Sequence, residues 1–124
     1  MNVSRVALVL GAGYGFLAVL LGAFGAHALK DKLVPEMLAV WKTAVEYHLA
    51  HAIALLLVGL LAAQRPALPL QGVVICFALG LLCFSGSLYA LAFSGLRALG
   101  AITPVGGLLL LTGWALLLRA ALKA

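Results

Sequence analysis

Four stretches of this chain, at residues 6–29, 44–63, 68–93 and 99–118, are almost free of charge and long enough to span a bilayer. A helix needs about 20 apolar residues to cross a hydrocarbon core about 30 Å thick. Nothing else in the sequence restricts the fold so severely. Of 124 residues, 66% are hydrophobic and only 9% charged, too few polar side chains to cover a globule in water. Helices satisfy their own backbone groups inside lipid, and the low β-branching of these runs argues against a barrel. The expected fold is all-α: a polytopic membrane protein with four transmembrane helices in an antiparallel bundle, one domain over residues 1–124. Residues 35–43 mix Met37, Leu38, Val40 and Trp41 with Glu36 and Lys42. They are expected to start the second helix near the headgroups, with Trp41 as an interfacial anchor.

The net charge of +5 does not signal nucleic-acid binding. Arg5, Arg65, Arg119 and Lys123 flank spans on one side, and Lys30, Lys32, Lys42 and Arg97 on the other. Single cations at helix ends snorkel to headgroups and do not form a basic groove. The even division gives the positive-inside rule little to act on; the first helix, with Lys30 and Lys32 against Arg5, would place the first loop in the cytoplasm. Ala26-His27-Ala28 mimics a signal-peptide cleavage site. The apolar run before it exceeds the roughly 7 to 15 residues of a signal sequence, so it reads as a first membrane helix. Cys76 and Cys83 lie seven positions apart, about 10 Å along a helix, too far to bridge each other.

Punctuation between the spans is clear. Pro35 and Glu36 suit a first helical turn, since proline needs no donor there and the acid complements the dipole. Gln64 to Pro69 forms a proline-marked turn, Gly95 is a candidate C-cap for the third helix, and Thr103-Pro104 a candidate N-cap and N1 pair for the fourth. Small residues recur at four-residue spacing: Gly11 and Gly15; Ala18, Gly22 and Ala26; Gly86, Ala90 and Ser94. In lipid such rows allow helices close approach.

Threading four helices alternately through a bilayer brings the ends of helices one and three to the same side as the starts of two and four. His27, Glu46, His48, His51, Ser85, Ser87, Tyr89 and Thr103 then share the first-loop side. The opposite side carries only flanking residues. At about 100° per residue, His48 and His51 stand about 60° apart, while Glu46 points about 140° from His51, toward Lys42. His27, Glu46, His48, His51, Tyr89 and Thr103 are therefore the candidate ligand-binding residues. No metal site or cofactor is expected, because no carboxylate or cysteine stands beside the histidine pair. No catalytic residue is assigned: Ser85-Gly86-Ser87 is not the G-x-S-x-G of a hydrolase.

The favoured function is binding of a lipid headgroup, a small polar ligand or a partner subunit in one leaflet. Two alternatives stand beside it: a small oligomeric transporter or channel moving protons or ions through Glu46 and the histidines, and a metal- or quinone-linked membrane enzyme. The expected partners are membrane lipids and a second copy or another membrane protein, with no nucleic acid.

GAFGAHALK (residues 22–30), W-x-T-A-V-x-Y-H-x-x-H (41–51), G-S-L-Y (86–89), I-T-P-x-G-G (102–107) and Gly113-Trp114 together resemble the YgdD-like family of small membrane proteins. The resemblance covers almost the whole chain. It implies four spans and a place in the bacterial cytoplasmic (inner) membrane, and it supplies no activity, substrate or catalytic residue.

Overall fold

A computed structural model describes the chain from Met1 to Ala124. It contains α1 (Val3–His27), α2 (Pro35–Gln64), α3 (Gln71–Ser94), a short 3₁₀ segment (Arg97–Ala101) and α4 (Thr103–Leu122). All four long helices are long and apolar enough to cross a membrane. The Asn2 side chain caps α1 by accepting from the Arg5 amide at 3.0 Å. Pro35 and Glu36 occupy the first turn of α2. Gly95 closes α3 at φ +70°, the left-handed conformation that an L side chain adopts only with strain.

Neighbours in sequence are neighbours in space. α1 packs on α2, α2 on α3 and α3 on α4; α1 touches α3 lightly, and α4 meets neither α1 nor α2 backbone to backbone. The bundle is therefore open, with α2 and α3 at its centre. Within their most apolar stretches α2 buries 44% of its residues and α3 39%, against 17% in each of α1 and α4. The outer helices offer most of their surface to lipid.

Small residues set these approaches, though not in every row the spacing predicts. A Cβ on Gly11 of α1 would lie 2.9 Å from Leu56 of α2, and one on Gly59 of α2 would lie 2.8 Å from Leu8 of α1. Gly80 of α3 meets Leu110 of α4 in the same manner, and Gly106 of α4 sits against the Phe84 backbone. The Gly86, Ala90 and Ser94 row is different: a Cβ on Gly86 would meet nothing within 4 Å, and Ala90 and Ser94 are exposed. The packed faces of α3 run through Gly80, Ser85 and Ala92 instead.

Two apolar clusters hold the bundle. The larger joins Leu55 and Val58 of α2, Val73, Val74, Phe77 and Leu81 of α3, and Leu110 of α4 with their neighbours. A smaller one at the first-loop end unites Leu29, Trp41 and Ala92, flanked by Leu33, Met37 and Val40. This second cluster explains the mixed pattern of residues 35–43. α2 is one unbroken helix there, and Trp41 is 3% exposed, so it is no interfacial anchor. Its indole fills the space left by Gly25 and donates to the Leu21 carbonyl at 2.9 Å. Thr103 likewise does not cap α4. The chain enters α4 from the 3₁₀ segment through Ile102, already in helical conformation, and the threonine hydroxyl bonds Ser87 at 2.6 Å.

Candidate functional site

The buried polar side chains are His48, His51, Ser85 and Ser87, and they lie between the two apolar clusters. Each serine finds a carbonyl: Ser85 Oγ donates to Ala44 at 2.8 Å, tying α3 to α2, and Ser87 Oγ reaches Phe84 at 3.0 Å. The histidines stand one turn apart on α2; both touch α3, but His48 leans toward α1 and His51 toward α4.

His51 faces α4. Trp114 Nε1–H donates to His51 Nε2 at 3.0 Å, and His51 Nδ1 lies 2.7 Å from the Tyr47 carbonyl. An indole nitrogen only donates and a carbonyl only accepts. The imidazole is therefore neutral, with its hydrogen on Nδ1, and both nitrogens are satisfied. Phe77 meets the ring edge-on at 5.3 Å. Beside this pair a groove of about 600 Å³ opens between α2 and α4, floored by Phe84 of α3 and walled by Tyr47, Leu108, Leu111 and Trp114.

His48 faces α1 and α3. Its Nδ1 lies 2.8 Å from Tyr89 Oη, and Tyr14 of α1 meets its ring edge-on at 5.5 Å. His48 is 4% exposed, and its Nε2 is buried without a well-formed hydrogen bond, although the Tyr14 backbone lies near the ring. Almost every buried polar atom in a folded protein has a partner, so this exception calls for an explanation. The ring forms the floor of a small groove of about 150 Å³ between α1 and α3, lined also by Tyr14, Leu17, Leu82, Ser85 and Tyr89. Ser85 and Tyr89 sit about 14 and 8 Å from the end of α3 at 1.5 Å per residue, which for a helix spanning a core about 30 Å thick puts Ser85 within the hydrocarbon and Tyr89 near its edge.

The candidates named from sequence thus separate. His48 and Tyr89 come together, Thr103 joins Ser87, and His51 stands apart with Trp114. His27 is exposed at the C-terminal end of α1. Glu46 is exposed too, and with Lys42 it borders a shallow groove against Gly22, Gly25 and Ala26 of α1. Nowhere do three His, Cys, Asp or Glu side chains converge as metal ligands. Tyr14 and Trp114, the partners that complete the two histidine sites, are absent from the sequence-derived set. Depth offers a signal for Tyr14: it and His48 each lie about 20 Å from the first-loop ends of their helices.

Residues 21–107 match the family described as "Protein of unknown function (DUF423)". The chain is 42% identical over 120 residues to a UPF0382 membrane protein of Staphylococcus epidermidis, covering 96% of this chain and 97% of that one. It is 42% identical over 121 residues to the UPF0382 membrane protein YwdK of Bacillus subtilis, covering 96% and 98%. With the UPF0382 inner membrane protein YgdD of Escherichia coli it shares 40% identity over 120 residues, covering 97% and 92%. No solved structure matches the chain. Together with four helices of spanning length, these relatives place it among multi-pass proteins of the bacterial cytoplasmic membrane. The chain belongs to the UPF0382 membrane proteins, the DUF423 family.

Proposed function

We propose that the protein binds a membrane-dissolved amphiphile, which enters the α1/α3 groove sideways from the lipid and bonds His48 through its polar end. One observation carries this reading: His48 Nε2 is buried without a well-formed hydrogen bond just beneath a groove between α1 and α3, with only the Tyr14 backbone near it, so that a small movement of the ring would bring it to an occupant. A buried polar atom left unsatisfied costs about 1–3 kcal/mol, which a bound acceptor or donor recovers. The depth of the site favours a molecule whose polar group resides within the hydrocarbon over a phospholipid headgroup. Tyr14 and Tyr89 supply aromatic walls, and Leu17 and Leu82, both exposed, border the way out to lipid. The transport alternative draws no support from the placement of its residues, because Glu46, His48 and His51 address three different spaces.

The test is co-purification. Wild type, His48→Leu and Gly86→Leu are isolated in nanodiscs formed directly from membranes, and the extracted lipids are compared by mass spectrometry. The leucine at 86 fills the groove without meeting any neighbour at its Cβ. One class of amphiphile should be enriched with wild type and lost from both variants; identical lipid profiles for all three would end the proposal.

A further inference from the structure

The two ends of the bundle carry equal numbers of lysines and arginines, yet not equal charge. Arg5 in the first turn of α1, Arg65 at the C-cap of α2, and Arg119 and Lys123 at the end of α4 lie opposite the first loop. Lys30, Lys32, Lys42 and Arg97 share the first-loop end with Asp31, Glu36 and Glu46, the only acidic residues in the chain. Four cations against three anions leave that end at +1, while four cations alone leave the other at +4. No acidic side chain stands at the +4 end to pair with its cations.

Part of that end is hollow. A cavity of about 610 Å³ opens between the start of α1 and the end of α2. Arg5 lines it from α1, Pro66 lines it directly after Arg65, and Leu8, Val9, Ala62 and Ala63 form its walls. Both arginines are exposed. Ser4 Oγ–H is engaged by the Gly59 carbonyl at 2.9 Å, and Asn2 Oδ1 by the Arg5 amide at 3.0 Å. The donors left at the mouth are the Arg5 guanidinium and the Asn2 side-chain amide.

Depth sorts this lining into layers. Val9 lies four residues beyond Arg5, about 6 Å deeper along the helix. Cations thus stand above hydrocarbon, in the order of a phospholipid's phosphate and acyl chains. A water-soluble anion would meet the arginines and leave the apolar walls uncovered. A zwitterionic lipid would bring an ammonium group that finds only like charge here. A phosphodiester with no cation of its own suits both layers: guanidinium forks match phosphate oxygens, and basic pockets between membrane helices hold acidic headgroups.

We infer that the α1/α2 cavity opposite the first loop binds an anionic phospholipid, its phosphate held by Arg5 and Arg65 and an acyl chain lying along Leu8 and Val9. This site is separate from the α1/α3 groove and does not depend on the amphiphile reading.

The experiment is native mass spectrometry of the full chain in detergent micelles, offered phosphatidylglycerol, phosphatidylethanolamine and phosphatidylcholine in equal amounts. Phosphatidylglycerol should bind about tenfold more tightly than either zwitterionic lipid. Arg5→Gln with Arg65→Gln should abolish that preference. Lys30→Gln with Lys32→Gln removes the same charge from the other end and should leave it intact. Ala63→Phe, which narrows the cavity without touching a charge, should weaken binding of phosphatidylglycerol severalfold. Millimolar glycerol phosphate should not compete; full competition would replace the lipid by a soluble anion. Equal binding of the three lipids, equal losses from both charge variants, or undiminished binding to Ala63→Phe would each overturn the assignment.

Discussion

His48 and His51 occupy the same helix, one turn apart, equally buried and at nearly the same depth, yet their surroundings treat them in opposite ways. His51 is closed on itself. The Trp114 indole donates to one nitrogen, the Tyr47 carbonyl accepts from the other, and Phe77 covers a face of the ring. His48 is held firmly at Nδ1 alone; its second nitrogen lies beneath the α1/α3 groove without a well-formed hydrogen bond, the Tyr14 backbone being the nearest acceptor. The wide α2/α4 groove beside the satisfied histidine is four times the volume of the narrow α1/α3 groove beside the unsatisfied one. Volume therefore says less about a site than the state of the polar atoms lining it. The His51 arrangement resembles a structural clasp between α2 and α4, whose backbones do not approach each other. The His48 arrangement resembles a socket.

This contrast can be broken by substitution, and the largest effect is expected at the clasp. His51→Leu leaves the Trp114 indole without its acceptor and should destabilise the protein by about 1–3 kcal/mol in reversible unfolding from mixed micelles. Adding Trp114→Phe should cost little more, giving a coupling of about 0.5–1.5 kcal/mol in a double-mutant cycle; additive losses would mean the pair is no clasp. His48→Leu comes next. It removes the bond to Tyr89 but also removes the orphaned nitrogen, so its net cost without ligand should stay within about 1 kcal/mol. A loss matching that of His51→Leu would show Nε2 to be satisfied after all. Gly86→Leu should shift unfolding by less than about 0.5 kcal/mol while filling the groove, because a Cβ there meets nothing. Smallest of all is Glu46→Gln, expected within about 0.5 kcal/mol, since the carboxylate is exposed on the flank of α2. A large effect there would point to a contact between copies.

The architecture was legible because length and hydropathy act on each helix independently. Four spans, the Pro35 start and the Gly95 stop follow from local chemistry alone. What escaped depends on pairs of helices. Trp41 has the composition of a belt residue, and only the hollow at Gly25, on another helix, makes it a core residue. Gly86, Ala90 and Ser94 have the spacing of a packing row, but spacing cannot say whether the row faces a helix or lipid. The same limit governs the site. His48, His51 and Tyr89 stand out in an apolar chain, and their angular separation on α2 is readable. That Tyr14 of α1 would meet one histidine and Trp114 of α4 the other is a property of how the helices rotate against each other. His27 and Glu46 attracted notice through chemistry scarce in this sequence, and both lie on the outside.

One feature of the arrangement governs any quantitative work on the molecule. Because the backbones of α1 and α4 do not approach each other, the α1/α3 groove opens sideways, and under the proposed function the route to His48 would run through neighbouring acyl chains. Occupancy would then follow the mole fraction of solute dissolved in the membrane rather than its aqueous concentration. Dissociation constants measured to test that proposal should accordingly be expressed per lipid, because a hydrophobic solute vanishingly dilute in the cytosol would still reach the groove.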